Sequence, residues 1–153
     1  MATSLKTLRE AGLVPRQVYA VQPDDTVLSA IAMLDAKDVG ALAVTDGERL
    51  VGIVSERDCA RKLELQGRSA AGTLVRQIMS ASVVYVTPEH RIDQCAAIMR
   101  KEHLRHLPVL DGTQLVAFLS MRDVLQELVV EEEHLIHDFE TERLAMTTDT
   151  GSY

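Results

Sequence analysis

The chain has 153 residues and is 46% apolar, enough to fill the core of one ordinary domain without disulfides or metals. Its 16 Lys and Arg against 23 Asp and Glu leave a formal charge of −7, and aromatics are only 3% with no Trp. A phosphate backbone would be repelled and single strands would find no stacking platform, so nucleic acid is disfavoured as a partner. Cys59 and Cys95 lack Cys-x-x-Cys or histidine spacing, which argues against a redox pair or zinc site and for a reducing compartment. No run of about 18 apolar residues and no signal-peptide pattern is present, so a cytoplasmic chain with no membrane partner is expected.

In chain order, a lead segment (1–17) is followed by a unit that occurs twice. Residues 18–63 superpose on 83–128 without a gap at a shift of 65 positions. Matches include Val21/Val86, Pro23/Pro88, Asp46/Asp111, Gly47/Gly112, Ser55/Ser120, Arg57/Arg122 and Asp58/Asp123. The units are joined by 64–82, where Gln66-Gly67-Arg68-Ser69 and Ala71-Gly72-Thr73 read as loop. The second unit extends to 130, and an acidic tail occupies 131–153.

Within each unit a short strand precedes Pro23 or Pro88. Val27, Ala30, Ile31 and Leu34, and Ile92, Cys95, Ala96 and Met99, then recur at helical spacing. Asp24, Asp25 or Thr26 can cap the first of these helices. Two apolar runs flanking Asp46-Gly47 or Asp111-Gly112 read as a hairpin, and Ser55 and Ser120 stand at the N-caps of second helices. The unit is therefore strand, helix, strand, strand, helix. The fold class is α+β: tandem β-α-β-β-α repeats with small mixed sheets packed against helices. One unit buries too little surface alone, so the two are expected to face each other across a pseudo-twofold axis, with a ligand cleft along the junction.

Ser55-Glu56-Arg57-Asp58 and Ser120-Met121-Arg122-Asp123 are the candidate chemical elements. A serine N-cap with an acid three positions on is a capping box, which accounts for either element alone. The repeated arginine in the first turn is not needed by a cap. With a helix start and a carboxylate able to accept two ribose hydroxyls, it suits a nucleotide.

On these residues the chain resembles the paired cystathionine-β-synthase (CBS) domain proteins, or Bateman modules, over about 18–128. The motifs are Val21-Gln22-Pro23-Asp24 and Val86-Thr87-Pro88-Glu89; Val39-Gly40-Ala41-Leu42-Ala43-Val44-Thr45-Asp46 and Leu104-Arg105-His106-Leu107-Pro108-Val109-Leu110-Asp111; and Gly52-Ile53-Val54-Ser55-Glu56-Arg57-Asp58 and Ala117-Phe118-Leu119-Ser120-Met121-Arg122-Asp123. The resemblance implies a disc-shaped homodimer that senses AMP, ADP, ATP or NAD, with S-adenosylmethionine ranked behind them, and signals occupancy to a regulated protein by changing shape. It implies that Asp58 and Asp123 accept the ribose hydroxyls, with Ser55 and Ser120 beside them. It draws the adenine wall of the Asp123 pocket from Gln22, Gly40, Ala41 and Leu42, and that of the Asp58 pocket from Thr87, Arg105, His106 and Leu107. Arg57, Arg122, Arg105 and His106 become phosphate contacts. Since Gly40-Ala41 stands where the second unit has Arg105-His106, the pockets should not be equivalent.

Other candidates are weaker. His134 and His137 follow Glu131-Glu132-Glu133 at helical spacing, where a solvated face is favoured over a metal site. Met33, Met79, Met99 and Met121 read as core fillers. The phosphate loop, dinucleotide turn, nucleophile elbow and His-Glu-x-x-His motifs are absent from the sequence, so a binding module is favoured over an enzyme. The alternative is a structural dimerisation scaffold with no nucleotide ligand.

Overall fold

The computed structural model describes residues 3–14 and 18–149, with side chains described as far as residue 143. After a first helix, α1 (Leu5–Glu10), the first repeat comprises β1 (Ala20–Val21), α2 (Val27–Lys37), β2 (Ala41–Asp46), β3 (Arg49–Ser55) and α3 (Glu56–Lys62). Thr26 caps α2, its hydroxyl accepting the Ser29 N–H at 3.2 Å. The Asp25 carboxylate is committed to the Gln22 N–H instead, at 2.8 Å. Val27, Ala30 and Leu34 face the core as the helical spacing requires, and β2 lies between parallel β1 and antiparallel β3.

A short helix, α4 (Val75–Ile78), precedes the second repeat, which comprises α5 (Ile92–Glu102), β4 (His106–Asp111), β5 (Gln114–Ser120) and α6 (Met121–Asp149). In both hairpins the glycine after the aspartate has a left-handed φ, 63° at Gly47 and 62° at Gly112. A two-residue turn needs that backbone and only glycine takes it without strain.

The first strand of the second repeat is not formed as expected. It is reduced to one parallel bridge, Val86 to Val109, with the Val86 N–H donating to the Pro108 carbonyl and the Leu110 N–H to that of Val86. The equivalent of Pro108 is Ala43, which pairs with Ala20. Proline has no N–H to continue the ladder, so pairing stops there.

The segments read as a lead and a joining loop are exchanged between the repeats. Ser4 bridges Arg91, the Leu5 N–H donates to the His90 carbonyl, and Leu5, Leu8 and Val14 are buried in the core of the second repeat. Reciprocally, Thr26 bridges Leu74, the Val27 N–H donates to the Thr73 carbonyl, and Val75 and Ile78 are buried in the core of the first. Each repeat is thus completed by the segment that precedes the other one in the chain. Helix α6 also crosses the expected boundary at 130 without a break. Its first turns bury Val124, whereas Leu135, Ile136 and Phe139 beyond the boundary are exposed. The Thr3 N–H donates to Glu131 Oε1 at 2.7 Å, tying the lead to this helix.

Gly52 shows how closely the exchanged segment packs. A Cβ there would lie 2.8 Å from Met79 Sδ and 3.0 Å from the Ser80 carbonyl oxygen, and Ser80 exchanges two backbone hydrogen bonds with Ile53. The thioether can move, but the carbonyl can do so only by breaking that pairing. Gly52→Ala should therefore cost about 1–3 kcal/mol, read as a lowered midpoint in urea unfolding. A midpoint equal to that of the parent chain would show that the segment yields freely.

Candidate functional site

Both Ser-x-Arg-Asp elements sit where a hairpin strand passes into a helix, and both form capping boxes. The Ser55 N–H and hydroxyl donate to Asp58 Oδ2 at 2.9 and 3.0 Å, and the Asp58 N–H donates back to Ser55 Oγ at 3.2 Å. In the second repeat the Ser120 N–H donates to Asp123 Oδ2 at 2.8 Å and the Asp123 N–H to Ser120 Oγ at 3.1 Å. The box fixes the rotamer of each aspartate and uses one carboxylate oxygen. The other oxygen differs. Asp58 Oδ1 is held by Lys62 Nζ at 3.1 Å, and Lys62 also donates to the Ile78 carbonyl at 3.0 Å. Among the described residues Asp123 Oδ1 has no hydrogen-bond or ion-pair partner.

Each box opens onto a cavity walled by the opposite repeat. One of about 360 Å³ is lined by Ser55, Arg57 and Asp58 on one side and by Val84, His103, Arg105 and His106 on the other. Its counterpart, about 550 Å³, is lined by Ser120, Arg122 and Asp123 and faced by Tyr19, Asp38, Gly40 and Ala41, with Phe118 and His106 at the back. The structure therefore brings Ser55, Arg57, Asp58, Arg105 and His106 together, and likewise Ser120, Arg122, Asp123, Gly40 and Ala41.

Four expected wall residues are not brought to the clefts. Leu42 and Leu107 are fully buried in the two cores; their neighbours Ala41 and His106 line the cavities instead. Gln22 and Thr87 lie in the turns before α2 and α5. Their N–H groups are taken up by Asp25 and by His90 Nδ1. The walls come instead from Tyr19 and Val84, three residues earlier, and from Asp38 and His103, the left-handed C-caps of α2 and α5 at φ 51° and 55°. Both pairs are equivalent under the shift of 65, which could have identified them together once one was placed.

His106 belongs to both cavities. Its ring stacks on Phe118 at 5.6 Å between centroids and 12° between planes. A side chain on Gly40 would begin 3.7 Å from it. Burial holds the imidazole below its ordinary range; the Asp123 carboxylate opposes this and Arg105 reinforces it. The ring is therefore a neutral wall near pH 7, able to stack or to exchange hydrogen bonds, rather than a fixed cation.

Comparison with known proteins places this arrangement. The CBS domain model matches twice, at residues 11–65 and 75–130. The mitochondrial CBS domain-containing protein CBSX3 of Arabidopsis thaliana is 35% identical over 113 residues, 71% of this chain, and the chain spans only 55% of that relative's length. The CBS domain-containing protein YhcV of Bacillus subtilis is 30% identical over 108 residues, 71% of this chain and 76% of its own. Among solved structures, a protein with CBS domains from Burkholderia ambifaria is 41% identical, covers 84% of this chain and 95% of its own, and superposes with a TM-score of 0.78. At 19% identity and a TM-score of 0.73, a CBS domain pair solved with 5′-methylthioadenosine and S-adenosyl-L-methionine shares the fold over 86% of this chain and 99% of its own. With two matched repeats, each completed by its partner's leading segment, the chain belongs to the CBS domain family.

Proposed function

We propose that this chain is a regulatory module that binds adenosine-containing ligands, among them AMP, ADP, ATP and NAD, in the clefts between its repeats. The carrying observation is the twofold convergence of a rotamer-locked aspartate and an arginine from one repeat on a wall supplied by the other. A carboxylate accepts vicinal hydroxyls, a guanidinium pairs with phosphate, and Tyr19 or the His106–Phe118 stack offers a flat apolar face for a base. That a CBS domain pair of the same fold was solved with two adenosine compounds supports this ligand class. A ligand spanning both repeats favours only arrangements in which they close on it, and this shift would report occupancy to a regulated protein through a homodimer. The nucleophile, base and leaving-group machinery of a hydrolase is not assembled among the lining residues, so the reading is of binding and not turnover.

Calorimetric titration with AMP, ADP, ATP, NAD and S-adenosylmethionine tests it. At about 100 times its dissociation constant a ligand should raise stability by about 2.7 kcal/mol. Asp58→Ala and Asp123→Ala should each remove one site, although each also loses the carboxylate half of its capping box and about 1 kcal/mol of stability. The second reading, a dimerisation scaffold, is favoured by both capping boxes, which account for each serine and aspartate as helix caps. It predicts no heat and no thermal shift with any of the five compounds, and full binding by both variants would refute the ribose assignment.

A further inference from the structure

Four equivalent positions around the two clefts differ in charge: three make the Asp58 cleft the more positive, and the fourth, Glu56 against Met121, offsets one of them. Lys62 in the first repeat corresponds to Glu127 in the second, His103 to Asp38, and Arg105 to Gly40. Two of these pairs line the cavities directly, and Lys62 holds Asp58 Oδ1 from beside the cavity. The Asp58 cleft therefore sets Arg57, Arg105 and the adjoining Lys62 against Glu56 and Asp58. Among the described residues that line it, the Asp123 cleft sets Arg122 against Asp38 and Asp123.

Resting on the nucleotide reading above, we propose that the clefts are specialised by charge: the Asp123 cleft for nucleosides carrying little or no phosphate, the Asp58 cleft for polyphosphorylated nucleotides whose anionic end draws Lys62 from Asp58. An uncharged nucleoside entering the Asp58 cleft must displace an ammonium group from the oxygen that would accept its ribose and gains nothing for that ammonium in return. A polyphosphate provides the ammonium with a new partner, so the displaced ion pair is replaced rather than lost. At Asp123 the accepting oxygen has no partner among the described residues. There a triphosphate meets, among the described residues, two carboxylates and one guanidinium, and is repelled.

Lys62 is 45% exposed, so its removal should leave the fold intact and its effect should be modest in size but opposite in sign for the two ligands. With Asp123→Ala present so that only the Asp58 cleft is read, Lys62→Met should tighten adenosine about two- to fivefold and weaken ATP by a similar factor. With Asp58→Ala present, Glu127→Lys should do the reverse at the other cleft, weakening adenosine and tightening ATP. If Lys62→Met moves both ligands in one direction or moves neither, charge specialisation is refuted while nucleotide binding stands. If neither adenosine nor ATP binds the unaltered chain, the nucleotide reading itself falls, and this inference with it.

Discussion

Ile78→Ala is expected to lower stability by about 2–5 kcal/mol, and Leu5→Ala to do the same, although both residues lie outside the repeated unit as its sequence defines it. Ile78 is 1% exposed and Leu5 2%. Ile78 belongs to the core of the first repeat with Val27, Leu34, Val54 and Leu63, and Leu5 to that of the second with Ile92, Met99, Leu119 and Val124. Truncating either removes most of an aliphatic side chain from water-free surroundings and leaves a void that a backbone pinned by hydrogen bonds cannot close. Urea unfolding followed by far-UV circular dichroism measures the loss. Hydrogen exchange locates it: Ile78→Ala should accelerate exchange first in β2 and β3, and Leu5→Ala first in β4 and β5. A passive joint and lead would give shifts within about 0.5 kcal/mol, as exposed loop substitutions do.

That exchange of segments is the part of the fold the sequence hid. The repeat of 65 positions is gapless because every element between β1 and α3 has a counterpart of equal length. The exchanged segments obey a different shift. Thr3, Leu5 and Leu8 match Thr73, Val75 and Ile78 at 70 positions, because the chain between the first repeat and α4 is five residues longer than a strict repeat allows. A comparison run at one shift cannot see them, and Gly67 and Gly72 make the surrounding stretch look like loop. The failed strand before Pro88 was legible in principle, since Pro108 stands in its partner strand where the first repeat has Ala43.

The sites divide along the same line. The helix starts were readable because a capping box is a local device: Ser55 and Asp58, or Ser120 and Asp123, are three residues apart and meet whatever the rest of the chain does. The walls were not, because they depend on how one repeat is rotated against the other. Of the wall residues that the family resemblance implies, Gly40, Ala41, Arg105 and His106 line the cavities, whereas Tyr19 and Val84 stand there in place of Gln22 and Thr87. Nor does any local pattern reveal that Lys62 reaches Asp58, since an i, i+4 pair on a helix face is ordinarily a solvated one. Here the ammonium is also tied to the Ile78 carbonyl of an exchanged segment, so the ion pair at Asp58 Oδ1 is coupled to the packing of α4.

A pH dependence on the alkaline side follows from the core of the second repeat. The Cys95 thiol is fully buried in α5. Burial, with repulsion from Asp93 adding to it and a backbone hydrogen bond opposing, pushes the thiol up from its ordinary 9.0 to about 11. The unfolded chain ionises this group near 9, whereas the folded chain keeps the proton to about 11. Over that interval the unfolded state binds fewer protons, so folding stability falls as pH rises. The contribution is intact below pH 9 and its loss amounts to about 2–3 kcal/mol once pH 11 is passed. Cys59 is raised in the same direction, by burial first and then by Asp58 and Glu56, and steepens the decline. Urea midpoints measured from pH 8 to 11 should therefore drop. Cys95→Ala should flatten the curve even though its own stability at pH 8 is lower. The comparison is between slopes, so lysine and tyrosine ionisation, common to both chains, cancels. Parallel curves for parent and variant would mean that Cys95 ionises in the folded chain as freely as in the unfolded one, and that the core around α5 admits water.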